Sequence, residues 1–235
     1  MRLHVANPNA TPAMTDAIAM AARSATGPGV EIVATTNETG PPAIEGPHDG
    51  AMAVPGLLDT IRCQDAEPGT AAHVIACFDD TGLDAARCTA RAPVVGIGEA
   101  ACLVACQLAP RFVIVTAQPV SVQVITDNLR RTGLGARCEG VRAAGMGVLE
   151  VEGAGGEAAL ERALGSAARD HPGAALVLGC AGMAPLATAM SERLDRPVLD
   201  GVRAAVALAE GLSRQGLATM RAGAYPLSRD VRGRA

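Results

Sequence analysis

The feature that most constrains the fold of this 235-residue chain is that three of its segments occur twice in the same order. "AHVIAC" at Ala72–Cys77 returns as "ALVLGC" at Ala175–Cys180, with the two cysteines 103 positions apart. "PVVGIGEAA" from Pro93 returns as "PVLDGVRAA" from Pro197 at a spacing of 104, and "RLHVAN" from Arg2 as "RFVIVT" from Arg111 at a spacing of 109. Ordered recurrence at a nearly fixed spacing describes a duplicated unit. The consequence is two similar half-domains, each with a cysteine at the end of its third strand.

Short β-branched runs alternate with Ala-rich stretches of helical period, which is the pattern of a parallel sheet with helices on both faces. Strands are expected at 3–6, 31–34, 73–76, 94–97, 112–116, 136–141, 176–178 and 198–199, and helices at 13–23, about 50–63, 82–89, 99–108, 120–132, 157–170, 185–193 and 202–212. The expected fold class is α/β: two pseudo-symmetric half-domains, each a four-stranded, mainly parallel sheet flanked by helices, with the active site in the cleft between them. Residues 1–97 with 200–235 form the first half, to which the C-terminal helix returns, and residues 98–199 form the second. The tail from Arg221, "RAGAYPLSRDVRGRA", has little apolar periodicity and reads as a loose surface segment.

Composition removes several functional classes. Two Phe, one Tyr and no Trp leave no aromatic platform for single-stranded nucleic acid, and a formal charge of −4 disfavours a phosphate-backbone partner. All 20 residues in the Lys+Arg count are Arg, which excludes a pyridoxal-phosphate Schiff base or a Walker-type lysine on this chain. The most apolar uncharged run, Phe112 to Thr126, contains Gln, Pro and Ser and is shorter than a bilayer-spanning helix. No transmembrane helix or secretory leader is read, and seven cysteines, an odd number, suit reduced thiols. The expected location is the cytoplasm.

Ligands of open α/β sheets bind beyond the carboxyl ends of the strands, where Cys77 and Cys180 fall. A thiol near a helix N-terminus feels partial positive charge and nearby N–H groups, so both are expected to have lowered pKa values. If the halves face each other about a pseudo-two-fold axis, the two cysteines enter one cleft from opposite sides. A carbon acid held between them can lose a proton to a thiolate on one face and regain one from a thiol on the other. The useful state holds one proton between the two sulfurs, and no cofactor or metal is required.

Seven ordered segments carry a resemblance: "NPNATPAMT" at 7–15, "GPPAIEG" at 40–46, "CFDDTGLDAAR" at 77–87, "PVVGIGEAA" at 93–101, "RFVIVT" at 111–116, "VLGCAGM" at 177–183 and "PVLDGVRAAV" at 197–206. Together they closely resemble the hydantoin racemase branch of the aspartate/glutamate racemase superfamily, over nearly all of residues 1–212. The resemblance implies cofactor-independent racemisation at C5 of a 5-substituted hydantoin or of the ureide allantoin, in a homo-oligomer. It implies Cys77 and Cys180 as the acid/base pair, and backbone N–H groups of Phe78, Asp79, Ala181 and Gly182 on the ring oxygens. Asn9, Ile44, Phe78, Thr116 and Met183 would line the pocket. Three positions depart from the family's usual hydroxyl residues, namely Ala10, Ala43 and Ala117, and make the pocket less polar.

Other readings of the same residues stay open at this point. The fold also serves aspartate and glutamate racemases, maleate isomerases and arylmalonate decarboxylases, and it could survive as a ligand-binding module without turnover. Acidic amino acids would need a cationic clamp, and no Arg lies nearer the cysteine loops than Arg87. "GIGEAA" from Gly96 imitates a dinucleotide fingerprint but lacks the acidic partner about 20 residues on. A cysteine hydrolase would have to recruit His4, His48 or His73. Asp79 and Asp80 at a helix entrance suit a cap or dipole partner better than a metal. Cys102 and Cys106 fit a core face, and Cys63, Cys88 and Cys138 have no partner pattern.

Overall fold

The computed structural model of the protein describes residues 1–151 and 153–232. The first sheet comprises β1 (Arg2–Asn7), β2 (Glu31–Thr36), β3 (Thr70–Ile75) and β4 (Val94–Gly96), in the order β2-β1-β3-β4. The second comprises β5 (Arg111–Thr116), β6 (Cys138–Ala143), β7 (Ala174–Leu178) and β8 (Val198–Asp200), in the matching order β6-β5-β7-β8. Every pairing is parallel. Both sheets therefore repeat one topology, and the eight expected strands all form.

Central strands such as "RFVIVT" and "AALVL" are buried almost throughout because helices cover both faces. The helices are α1 (Pro12–Ser24), α2 (Pro47–Asp65), α3 (Leu83–Thr89), α4 (Ile97–Leu108), α5 (Pro119–Arg131), α6 (Ala154–Asp170), α7 (Ala187–Leu194), α8 (Gly201–Arg214) and the short α9 (Arg229–Arg232). In α1, Pro12 supplies the fixed φ suited to a first turn, and Met14, Ile18, Ala21 and Ala22 bury one stripe. One large core runs through both halves, and a smaller one, built on Leu57, Ile61, Ile75 and Leu83, fills the outer face of the first sheet. No helix among the described residues is long and apolar enough to cross a membrane.

Helix α8 crosses back from the end of the second sheet to pack on β3, β4 and α1, and it also lies along α4. Its first residue, Gly201, meets the first residue of α4 so closely that a Cβ there would sit 2.5 Å from the Ile97 carbonyl oxygen. Gly201 and Ile97 occupy the same place in the two copies of the repeat.

Three local expectations are corrected. The run expected as a helix from Pro185 begins as a 3-10 segment, Ala181–Leu186, because Pro185 has no N–H to give an α-helical ladder, and α7 starts only at Ala187. Strand β6 begins at Cys138, since a 3-10 turn occupies Gly135–Arg137. The segment from Arg221 is tied down as well. Arg221 donates to the carbonyl oxygens of Arg87, Ala90 and Arg91 at 2.7–2.9 Å, and the Tyr225 hydroxyl donates to Asp84 at 3.0 Å. These contacts use isolated polar groups, which leave no periodic trace in a sequence.

Candidate active site

The third strand of each sheet runs out into a loop that carries a cysteine, Cys77 after β3 and Cys180 after β7. Both line one cavity, with about 410 Å³ of empty space partly continuous with solvent. Of the residues singled out in the sequence, Asn9, Ile44, Phe78, Asp79, Thr116, Ala117 and Ala181 line it too. Gly182 and Met183 do not: Met183 is fully buried behind the wall. Pro8 and Met14 from the segment "NPNATPAMT", and Ala76 and Gly179 from the repeated strand ends, also line it, whereas Ser121 and Val148 do so without having been signalled by motif or repeat. Of the three alanines singled out in the sequence, Ala117 lies in the wall, whereas Ala10 and Ala43 do not.

The thiols are shifted opposite to expectation. Burial pushes Cys180 up to about 11, and the Asp79 carboxylate raises it further against the opposing N–H groups of Gly182 and Met183. Burial raises Cys77 even more, with Asp79 again adding to the rise, opposed by the Thr81 hydroxyl and the Asp79 N–H. The Thr81 hydroxyl donates to the Cys77 sulfur at 3.4 Å. Desolvation outweighs the helix-end field because neither cysteine sits at the mouth of a long helix: α3 has 7 residues and starts at Leu83, and Cys180 leads into a 3-10 segment.

The N–H groups of Asp79 and Gly182 are thus drawn toward the sulfurs. By contrast, the N–H groups of Phe78 and Ala181 meet no acceptor among the described residues. Asp79 itself is raised to about 6 by burial, and its single side-chain partner among the described residues is Ser121 Oγ, donating at 3.4 Å. Its carbonyl oxygen accepts from Asn128 Nδ2 at 2.7 Å, which fixes the loop after Cys77 to α5 of the other half.

Asp80 takes the capping role expected for this acidic pair, on α4. Its carboxylate accepts from the N–H groups of Gly98 at 2.9 Å and Glu99 at 2.8 Å, closing the anion site that "GIGEAA" would otherwise offer. The backbone bends into the left-handed region at Asp80, φ 50°, to reach it. Gly96 leaves the room, since a Cβ there would approach Asp80 Oδ1 to 2.2 Å.

The histidines serve elsewhere. His4 and His73 share a 2.9 Å contact between their Nδ1 atoms, with Thr35 on the far side of His4 and Asp65 on that of His73. Burial, then the neighbouring His73, depress His4 to about 3. No histidine lines the cavity, and among the described residues no group of three His, Cys, Asp or Glu is placed to hold a metal. Cys102 is core.

Comparison with known proteins places this geometry. The family described as Asp/Glu/Hydantoin racemase matches residues 3–209. A hydantoin racemase of Rhizobium meliloti is 39% identical over 231 residues, covering 97% of this chain and 95% of the relative. A hydantoin racemase of a Pseudomonas strain is 40% identical over 228 residues, covering 96% of this chain and 91% of the relative. The solved structure of an allantoin racemase from Klebsiella pneumoniae superposes with a TM-score of 0.92 at 40% identity, covering 97% of this chain and 94% of that one.

Proposed function

Because this chain belongs to the Asp/Glu/Hydantoin racemase family, we propose that it inverts C5 of a 5-monosubstituted hydantoin, or of allantoin, by a cofactor-independent proton transfer between Cys77 and Cys180. One observation carries the reading: equivalent strands of the two sheets deliver their cysteines to one cavity. Residues 1–97 with 200–235 supply Cys77, and residues 98–199 supply Cys180.

The C5 proton lies beside a carbonyl, so its loss leaves an enolate. A thiolate on one face takes that proton and the thiol opposite returns its own, leaving the two sulfurs with exchanged roles and the carbon inverted. The unengaged N–H groups of Phe78 and Ala181 suit the ring oxygens, where charge develops. Raised thiol pKa values fit this task in one respect and oppose it in another. A thiolate that binds its proton tightly is a stronger base toward a carbon acid, but less of it is present at neutral pH.

The Asp79 carboxylate makes a second deprotonation costly, so the pair holds at least one proton. The same carboxylate disfavours acidic amino acids as substrates. No Arg lines the cavity among the described residues, and Arg87 is paired with Glu99 at 2.9 Å.

The test is loss of optical rotation from an enantiopure 5-substituted hydantoin and from allantoin in deuterated solvent. Racemisation should accompany uptake of deuterium at C5, and C77S or C180S should lower racemisation about 10²- to 10⁴-fold. Full activity in either variant would exclude the two-base mechanism. Turnover of aspartate or glutamate alone would move the assignment to the amino-acid branch.

A further inference from the structure

The cavity wall holds few polar side chains besides its cysteines, and most are already engaged. Asn9 Oδ1 accepts from Asn7 Nδ2 at 2.9 Å and from the Thr11 N–H at 3.0 Å, while its amide nitrogen lies 3.0 Å from Met14 Sδ. The Thr116 hydroxyl donates to the Gly179 carbonyl oxygen at 3.0 Å. Asp79 differs. Its Oδ2 has the long contact to Ser121, and its Oδ1 accepts no hydrogen bond from the described residues. No Arg or His pairs with it. A desolvated carboxylate with an empty acceptor oxygen in a ligand cavity calls for N–H or O–H donors from the ligand.

Its position also works against the proton transfer, since its charge raises the pKa of both thiols and it lines the same cavity in which the carbanion would form. The ring nitrogens are conjugated to that developing charge, so donors on the ring would tie the carboxylate to the enolate. Donors on the C5 substituent carry no share of the charge. They can satisfy Asp79 while leaving the enolate to the backbone N–H groups.

We propose that the Asp79 carboxylate, steadied by Ser121, is the specificity element for the C5 substituent and selects a ureido tail over an apolar one. This deepens the racemase assignment and rests on it. A ureido group presents its N–H and NH₂ to Oδ1 and Oδ2, an arrangement that an isobutyl or benzyl group cannot supply. The remaining wall, with Met14, Ile44 and Val148, packs the ring and gives no comparable preference.

The experiment compares enantiopure allantoin with enantiopure 5-isobutylhydantoin on the wild-type protein, D79N and S121A, reading kcat and KM separately and measuring binding by calorimetry. In D79N the ratio of kcat/KM for allantoin to that for 5-isobutylhydantoin should fall roughly 10- to 100-fold, mainly through the KM for allantoin. S121A should lower the same ratio by about 3-fold, as expected for a weaker, supporting hydrogen bond. Equal losses on both substrates, or an unchanged ratio, would overturn the proposal and return Asp79 to the ring or to a structural role. If the wild type binds these compounds without racemising them, the racemase reading fails separately, and the same ratio of affinities then decides the role of Asp79. Binding of neither compound overturns both.

Discussion

The loop after Cys77 and the loop after Cys180 leave equivalent strands yet solve the same local problems differently. In the first half, the carboxylate that caps the next helix comes from the cysteine loop, Asp80, and the helix junction is left as Gly96 to admit it. In the second, the junction residue Asp200 caps its own helix through the Arg203 N–H at 2.8 Å, and the corresponding loop position is the buried apolar Met183. Carboxylate and apolar filler have changed places between the copies. The difference teaches that duplication preserves the sum of interactions at a junction while the residues supplying them drift.

The comparison predicts first that the two cysteines fail in opposite directions. C77S and C180S should each lower racemisation about 10²- to 10⁴-fold. Each should still exchange the C5 proton of one enantiomer with solvent deuterium, and the preferred enantiomer should differ between the two. Nuclear magnetic resonance of each enantiomer in D₂O measures this. The same preference in both variants would break the functional symmetry.

Next in size is the junction itself. G96D places a second carboxylate against Asp80 and should cost about 3 kcal/mol or more in urea unfolding. D80M/G96D copies the second half's solution and should recover a large part of that loss. No recovery would show that the two junctions are not interchangeable.

R221A removes donors to three carbonyl oxygens at the end of α3, a contact that belongs to the first half. It should cost about 1–2 kcal/mol in the same assay.

The smallest effect is a displaced pH profile. Asp79 and Asp80 lie at about 6 and about 7 against an ordinary 3.8. The folded protein therefore retains protons that the unfolded chain has released. Their contribution to stability is fully present below about pH 4 and is lost as pH rises through 6 and 7. The melting temperature of D79N, measured against the wild type from pH 4 to pH 8 or so, should decline less over that interval. Because Asp79 raises both thiols, the alkaline rise of kcat/KM should also begin at lower pH in D79N.

Much of this was legible in the residues. The eight strands declare themselves because buried parallel strands are short runs of Val, Ile and Leu, and the repeat predicts that the two sheets share one order. Cys77 and Cys180 were legible as a pair because the repeat aligns them. Ser121 and Val148 were not, since each stands in an unremarkable local context and reaches the cavity only through tertiary packing. The direction of the thiol shifts was missed for a related reason. A helix N-terminus can be inferred from nearby residues, whereas desolvation depends on what the rest of the chain places around the sulfur. The fastening of Arg221 also depends on a distant partner, the carbonyl end of α3.

The contact between Ile97 and Gly201 bears on the history of the chain. These residues are copies of one ancestral position, and they touch. A second isoleucine in place of Gly201 would collide with the Ile97 backbone, so the present packing needs glycine at one of the two equivalent positions. Two identical halves could not have associated with this surface as it stands. With bulk at Ile97 and none at Gly201, each half is shaped to its sibling rather than to a copy of itself.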